Sequence, residues 1–252
     1  MMSQIISVHS YRGGTGKSNT TANLAALLAA KGCRVGVVDT DIQSPGIHIL
    51  FGLAEGNIHH SLNDYLWGHC HIKEAAHDVT SRLGRDVPGS LFLIPSSMKA
   101  GDIARVLREG YDVGLLRDGL QELIEALNLD VLMIDTHPGL NEETLLSIAV
   151  SDLLILLMRP DRQDYQGTAV TVEVARKLEV PQLLLVVNKA LTTVDVAELR
   201  QQVESAYGEP VAAVLPLSED LVRMASSDLF GLREPDHAWS REVRAIAERI
   251  VG

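Results

Sequence analysis

Seven consecutive residues, Arg12-Gly13-Gly14-Thr15-Gly16-Lys17-Ser18, set the architecture of this 252-residue chain. They stand between a predicted strand at 4–9 and a helical pattern over Asn19–Ala30. Glycines let the backbone curl so that several amide N–H groups point inward at an anion. The positive N-terminal end of the following helix adds to that attraction. The sequence therefore predicts a phosphate-binding loop between the first strand and the first helix of an α/β protein.

Two polar side chains at the end of this loop suit a nucleotide. Lys17 can reach the β- and γ-phosphates, and the Ser18 hydroxyl can ligate Mg²⁺. The common pattern GxxxxGK[ST] needs a glycine where Tyr11 stands. The sequence matches instead a variant with two glycines next to a basic residue, here Arg12. A glycine-rich turn that merely joins strand to helix is the alternative, and the Gly-Lys-Ser junction argues against it.

Short apolar runs alternate with helical patterns along the rest of the chain, as in a parallel sheet covered by helices on both faces. Strands are predicted at 4–9, 34–39, 91–95, 130–135, 152–158, 182–187 and 211–215. Helices are predicted at Asn19–Ala30, Gly114–Leu127, Asn141–Val150, Gln166–Leu178, Val194–Tyr207 and Trp239–Val251. Because no linker divides the chain, residues 1–252 are expected to form a single domain with a doubly wound, mostly parallel sheet.

Composition and charge narrow the class of protein. Apolar residues make up 46% and charged residues 22%, which excludes disordered and collagen-like chains. The formal net charge of −11 argues against affinity of the whole surface for DNA or anionic lipid. No apolar run approaches the roughly 18 residues of a membrane-spanning helix, and no signal-peptide pattern is present. We therefore expect a cytoplasmic protein.

Aspartates follow two of the predicted strands. Asp39 and Asp41 come at the end of the second strand, and Asp135 ends the fourth, before Thr136-His137-Pro138-Gly139. Ligands of such sheets bind beyond the carboxyl ends of the strands, so these side chains are expected near the phosphates. A carboxylate fixed by a rigid strand suits the outer coordination of Mg²⁺, which favours that role for Asp135. For an isolated D-x-D, a solvated turn or a helix cap is the alternative.

Two later strand ends carry candidates for contacts with a base. Asn188 follows the sixth strand, and Pro216 follows the seventh. The amide of an asparagine offers both a donor and an acceptor, which suits the edge of adenine. A guanine-specific N-K-x-D is not present, because Leu191 stands where the aspartate would be. For each of these short signals an ordinary strand-end turn is an equal alternative.

Taken together, the motifs resemble those of the MinD/ParA family of ATPases. The loop at 12–18 is similar to the deviant Walker-A box of that family, K-G-G-x-G-K-[ST], with Arg12 in place of the first, signature lysine. The D-x-D-x-x-x-P-G spacing at 39–46 resembles the first switch of the family. The D-[ST]-x-P-G pattern at 135–139 resembles its second switch, in which the position of His137 is variable.

The resemblance implies a P-loop ATPase domain and a role for each matching residue. Asp41 would orient the attacking water, Asp39 would support the switch, and Arg12 would contact the phosphates of the partner subunit's ATP. The implied catalytic set is Arg12, Lys17, Asp39 and Asp41. The implied nucleotide-binding set is Gly13, Gly14, Thr15, Gly16, Lys17, Ser18, Asn19, Asn188 and Pro216. The implied Mg²⁺ ligands are Ser18 and Asp135.

A protein of this kind is expected to bind ATP with Mg²⁺ and to form a nucleotide-sandwich homodimer. Hydrolysis would then drive a switch that positions or regulates a cellular partner, with an activating or cargo protein bound to the dimer. The alternative is a nucleotide-gated binding module with little hydrolysis of its own. The sequence leaves a DNA or membrane surface open as a partner, but neither the net charge nor the weakly apolar C-terminal helix supports one.

Several other features have ordinary explanations. The histidines and Cys70 within 52–89 match no common zinc-site spacing and are expected to be exposed polar residues. The last helix lacks the bulky apolar anchors of a membrane-binding helix. Whether the arginines near the C-terminus share one face is left open by the sequence; these are Arg223, Arg233, Arg241 and Arg244.

Overall fold

One eight-stranded sheet forms the centre of the computed structural model, which describes residues 3–84 and 87–252. Its strands are β1 Gln4–His9, β2 Arg34–Asp39, β3 His77–Asp78, β4 Ser90–Ile94, β5 Val131–Asp135, β6 Leu153–Met158, β7 Gln182–Ala190 and β8 Val211–Pro216. Their order across the sheet is β3-β4-β2-β5-β1-β6-β7-β8. All neighbouring pairs are parallel except β3 and β4. The predicted α/β fold with a doubly wound, mostly parallel sheet is therefore confirmed.

Helices cover both faces of this sheet. They are α1 Lys17–Ala30, α2 Ile47–Leu50, α3 Leu62–Leu66, α4 Ala100–Glu109, α5 Val113–Leu127, α6 Glu142–Ala149, α7 Arg162–Lys177, α8 Val196–Tyr207, α9 Glu219–Met224, α10 Phe230–Arg233 and α11 Ala238–Val251. On one face, α1, α10 and α11 share an apolar core with inward residues of the central strands, such as Ile6 and Val37. On the other face, α5 packs over β2 and β5, and α7 and α8 pack over β6 and β7.

The central strands are apolar along their whole length because both of their faces are covered. Every residue of β6 is buried, and so is every residue of β5. The C-terminal helix α11 buries Val243, Ile246 and Ala247 and packs against α1 and β8. Its apolar stripe therefore serves the core. Among the described residues, no helix combines the length and the apolar composition that crossing a membrane requires.

Several elements differ from the sequence-based expectation. Helix α7 begins at Arg162 rather than Gln166, because Asp161 caps it by accepting hydrogen bonds from the amides of Gln163 and Asp164. Strand β7 runs on to Ala190. Helix α4 was not predicted from the sequence, and neither was the two-residue edge strand β3.

Candidate nucleotide-binding site

The carboxyl ends of β1, β2 and β5 meet at one edge of the sheet and gather the aspartates predicted from the sequence. In the parallel register, Asp39 of β2 lies beside Asp135 of β5, and Val8 of β1 lies on the other side of Asp135. The chain turns from β1 into the loop at 10–16 and then into α1 at this same edge. Three neighbouring strands thus bring the loop and both switch segments together.

The glycines of the loop adopt backbone conformations that other residues rarely reach. Gly14 has φ of 74° and Gly16 has φ of 98°. A Cβ atom at Gly16 would also lie 2.5 Å from Nδ2 of Asn188, so that no larger residue fits. Helix α1 begins directly after Gly16, and no side chain caps its start. Its first amide groups are therefore available to an anion.

Lys17 is the buried cation of the site. It is only 7% exposed, and three carboxylates lie near enough to act on its charge. Burial lowers the pKa of Lys17, while the charges of Asp135, Asp41 and Asp39 oppose that shift. An ammonium held among carboxylates at the start of a helix is placed to bind phosphate oxygens as well.

Asp135 carries the hydrogen bonds that orient it toward the loop. Its Oδ1 accepts a hydrogen bond from Oγ1 of Thr21 at 3.1 Å, and the hydroxyl of Ser18 lies close enough to favour the charged carboxylate. Burial raises the pKa of Asp135 to about 6, although Ser18 and Lys17 favour its charged form. Ser18 and Asp135, the two predicted Mg²⁺ ligands, therefore lie close together, and their oxygens are the donors that this ion prefers.

Asp39 holds the first switch segment, residues 40–46, against the sheet. Its two carboxylate oxygens accept hydrogen bonds from the amides of Asp41, at 3.0 Å, and Gly46, at 3.3 Å. The side chain is fully buried, and burial together with the nearby Asp135 raises its pKa well above the usual range. Asp39 thus shapes the backbone of the segment that carries Asp41.

Asp41 meets a residue of the second switch segment, residues 135–139. Nδ1 of His137 lies 2.6 Å from Oδ1 of Asp41. The sequence did not predict this contact, since His137 occupies the variable position of the motif. The structure therefore joins the two switch segments through a pair of side chains.

Arg12 lies at the outer side of the loop, beside the N-terminus of α7. Its Nη1 is 3.8 Å from Oδ1 of Asp161 and 3.6 Å from Oδ1 of Asp164. Asp164 is buried and also pairs with Arg159, whose Nε is 3.1 Å away. Arg12 itself is 39% exposed. Arg12, which was expected to contact the ATP of a partner subunit, is thus paired with carboxylates of its own chain in this conformation.

A cavity of about 210 Å³ adjoins the loop at the ends of β7 and β8. Its lining includes four of the predicted nucleotide-binding residues, namely Gly16, Asn19, Asn188 and Pro216. The remainder of the wall is mostly apolar and comes from α9 and the residues around it, including Leu221, Val222 and Ala225. A mixed wall of this kind suits the planar, largely apolar face of a base.

Two residues at the end of β7 brace the loop. The amide of Asn188 donates to the carbonyl of Thr15 at 2.8 Å and accepts from the backbone amide of Lys189. Nζ of Lys189 donates to the carbonyl of Gly14 at 2.7 Å. Asn188 was predicted to contact adenine; in this conformation its side chain supports the loop at the edge of the cavity. The bracing by Lys189 was not predicted.

Other features singled out in the sequence lie apart from this site. Arg223 pairs with Glu219 and Asp220, and Arg233 pairs with Asp228, so that these two arginines are balanced by neighbouring acids. Within residues 3–84 and 87–252, no group of three or more His, Cys, Asp and Glu side chains is arranged to hold a metal ion.

Comparison with known proteins identifies the family. The model of a family described as an AAA domain matches residues 3–192. The septum site-determining protein MinD of Bacillus subtilis is 25% identical over 261 residues, covering 100% of this chain and 90% of that protein. The chain belongs to the MinD/ParA family of ATPases. Within this family it is also similar to an uncharacterised ATP-binding protein of Methanocaldococcus jannaschii, with 27% identity over 259 residues, 100% of this chain and 89% of the relative.

Solved structures of MinD/ParA proteins share the fold. The septum site-determining protein MinD of Pyrococcus horikoshii, in complex with Mg-ADP, superimposes with a TM-score of 0.83 at 20% sequence identity. The match covers 99% of this chain and 96% of that protein. The resemblance drawn from the sequence motifs is therefore confirmed at the level of family and fold.

Proposed function

We propose that this protein is an ATPase switch. It binds ATP with Mg²⁺, closes into a nucleotide-sandwich dimer, and uses hydrolysis to position or regulate a cellular partner. The observation that carries this proposal is the environment of the Lys17 side chain. A buried ammonium stands at the start of α1, under a glycine loop, with Asp39, Asp41 and Asp135 around it. Binding of a magnesium triphosphate accounts for this combination of charges better than the packing of the sheet does.

The donor set of the site fits ATP and Mg²⁺. The loop offers backbone amides from Gly13 to Ser18, and the neighbouring cavity has room beside Asn19 and Pro216 for part of a nucleoside. Ser18 would ligate Mg²⁺ directly, and Asp135 would hold the ion's waters. When bound, the ion neutralises charge on the β- and γ-phosphates.

Phosphoryl transfer needs mainly positioning and charge neutralisation from the protein. In the proposed reaction, Lys17 holds the β- and γ-phosphates, and Asp41 accepts a hydrogen bond from the attacking water and so aligns it. Asp39 keeps the backbone of residues 40–46 in the shape that places Asp41. Arg12 would reach the phosphates of the partner subunit's ATP, which links hydrolysis to dimer formation.

A protein partner is the kind of partner that the surface favours. The relatives include a septum site-determining protein. The net charge of −11 and the pairing of Arg223 and Arg233 with acids argue against a broad DNA-binding face. We therefore propose that the dimer presents its surface to a cargo or activating protein.

The proposal is tested by measuring phosphate release from ATP and Mg²⁺ by the wild-type protein and by Asp41→Ala. Loss of the water-aligning carboxylate is expected to lower the rate about 100-fold or more, while ATP still binds. Lys17→Ala serves as the control for loss of the site, since it should abolish ATP binding measured by calorimetry. Lys31→Ala, at the exposed far end of α1, is the matched control and should behave as wild type.

The alternative, a nucleotide-gated binding module, gives a different result in the same experiment. Equal and very slow phosphate release by the wild type and Asp41→Ala, with tight ATP binding by both, would support the module. Unchanged ATP affinity of Lys17→Ala would instead show that the nucleotide does not bind at this loop.

A further inference from the structure

The contact between His137 and Asp41 joins loops that are far apart in the sequence. Asp41 lies in the loop after β2, and His137 lies in the loop after β5. Nδ1 of His137 donates a hydrogen bond to Oδ1 of Asp41 across 2.6 Å, and both side chains are largely shielded from solvent. A short hydrogen bond to an ionised carboxylate is stronger than a hydrogen bond between two neutral groups.

The hydrogen bonds to Asp41 are concentrated on one of its two oxygens. Besides His137, the backbone amide and the hydroxyl of Ser44 donate to Oδ1, at 3.1 Å and 3.0 Å. Within residues 3–84 and 87–252, no donor contacts Oδ2. Donors from two directions on Oδ1 restrict rotation of the carboxylate and leave Oδ2 available to accept a hydrogen bond from water.

His137 is itself held by its neighbours in the loop after β5. The backbone carbonyl of His137 accepts a hydrogen bond from Oγ1 of Thr144 at 3.2 Å. The hydroxyl of the preceding residue, Thr136, donates to the carbonyl of Val8 at 3.1 Å and contacts Nδ1 of the buried His9 at 2.7 Å. The imidazole therefore projects from a segment that is anchored to β1 on one side and to α6 on the other.

From this geometry we propose that His137 is a positioning residue for hydrolysis. It fixes the carboxylate of Asp41 through Oδ1, so that Oδ2 meets the attacking water in a constant orientation. This role rests on the proposed ATPase function. It also makes the activity of the first switch segment depend on the placement of the second, because movement of residues 135–139 would release Asp41.

The test compares steady-state kcat and KM for ATP among the wild type, His137→Ala and His137→Asn. Removal of the imidazole is expected to lower kcat about 10-fold to 100-fold, in line with the effect of a misplaced reacting group, while KM changes less than about 3-fold. The side-chain amide of asparagine places an N–H donor near the position of Nδ1, so His137→Asn should recover most of the lost kcat. The exposed His59 supplies the matched control, and His59→Ala should leave kcat unchanged.

The possible results distinguish failure of the positioning role from failure of the proposed ATPase function. If the wild type hydrolyses ATP through Asp41 and His137→Ala has the kcat of the wild type, the positioning role is wrong and the ATPase stands. If His137→Ala and His137→Asn lose kcat equally and melt at the same lowered temperature, His137 has only a structural role. If the wild type releases no phosphate, the proposed function fails and the positioning role fails with it.

Discussion

At the scale of single residues, the site contains buried charges that lower the stability of the folded protein. Asp39 and Asp135 are buried side by side, and the only buried ammonium shown beside them within the described residues is Lys17. Removing carboxylates from water costs several kcal/mol unless opposite charges and hydrogen bonds compensate. The raised pKa of each aspartate shows that compensation is incomplete in this structure. A bound cation would complete it, which is consistent with a site selected for ligand binding rather than for stability.

Asp135→Asn should therefore stabilise the protein at neutral pH. The pKa of Asp135 is about 6 in the folded protein, above its ordinary value of 3.8, so the folded state keeps a proton that the unfolded chain loses between those values. The unfolding free energy contributed by this group falls as pH rises through that window. Without nucleotide and with EDTA present, urea unfolding of Asp135→Asn at pH 7 should show a gain of roughly 1–3 kcal/mol.

The gain from Asp135→Asn should shrink as the pH is lowered through 6 toward 4 and vanish only well below 3.8, where the wild-type side chain is protonated in both states. Asp118→Asn, which changes an exposed carboxylate on α5, is the control and should show no such gain at any pH. A variant no more stable than the wild type at pH 7 would contradict the expected cost of burying this charge.

At the scale of elements, the sequence predicts those strands and helices whose buried residues recur at a regular spacing. The central strands and helices such as α5 were predicted because buried strands are continuously apolar and helices carry an apolar stripe, whereas the loop at 12–18 was predicted from its glycines and the Gly-Lys-Ser junction. Helix α4 was missed although Ile103, Val106 and Leu107 stand at helical spacing, and of its residues only Val106 is buried. Strand β7 was predicted too short, since its last residues include Lys189 with φ of 61° at an irregular pairing with β8.

The same reasoning explains which parts of the site the sequence predicted. Lys17, Asp39 and Asp135 lie at strand ends or at a helix start, so topology alone brings them together. The pairing of His137 with Asp41 and that of Arg12 with Asp164 depend on side-chain directions across loops. Sequence spacing carries no information on such contacts, which is why only the structure revealed them.

Helix α7 approaches the loop closely at a glycine, and this packing is open to a direct test. A Cβ atom at Gly167 would lie 2.1 Å from Cδ1 and 2.8 Å from Cβ of Tyr11, and the second of these atoms cannot move without moving the backbone of the loop. Gly167→Ala should therefore lower the free energy of unfolding by about 1–3 kcal/mol in urea. In a Tyr11→Ala background the clash with the ring is absent and only the 2.8 Å approach to Cβ remains, so the cost of Gly167→Ala should fall without vanishing.

The control for this pair is Gly101→Ala in α4, where an added Cβ would meet nothing within 4 Å. That change should stabilise the protein by about 0.5–1 kcal/mol, as expected for alanine in a helix. If Gly167→Ala lowers the free energy of unfolding equally with and without Tyr11, the contact with the tyrosine is not the reason that the helix has a glycine here.

At the scale of the whole molecule, dimer formation has to overcome repulsion between two chains that each carry a formal charge of −11. The proposed sandwich dimer also requires Arg12 to exchange Asp161 and Asp164 for phosphates of the partner subunit's ATP. The pair with the exposed Asp161 contributes only about 0–1 kcal/mol, and the contact with the buried Asp164 is 3.6 Å long and shared with Arg159, so we expect the pairing within the chain to be a weak restraint. Asp164 would keep Arg159 as its partner after the exchange. ATP therefore has to supply the charge that attracts Arg12 across the interface.

Arg12→Ala is expected to leave ATP binding by the single chain nearly intact and to weaken ATP-dependent dimerisation by about 10-fold or more, because the arginine contributes charge-assisted hydrogen bonds only across the interface. Light scattering on a concentration series, with Mg²⁺ and a non-hydrolysable ATP analogue, measures the effect. Arg12→Lys, which keeps the charge but loses the planar fork, should fall between the two. Arg117→Ala, an exposed arginine of α5 paired with Asp118, is the control and should dimerise as the wild type. If Arg12→Ala also dimerises as the wild type, Arg12 does not act on the partner's nucleotide. Arg12 would then stay paired with Asp164 when the dimer forms.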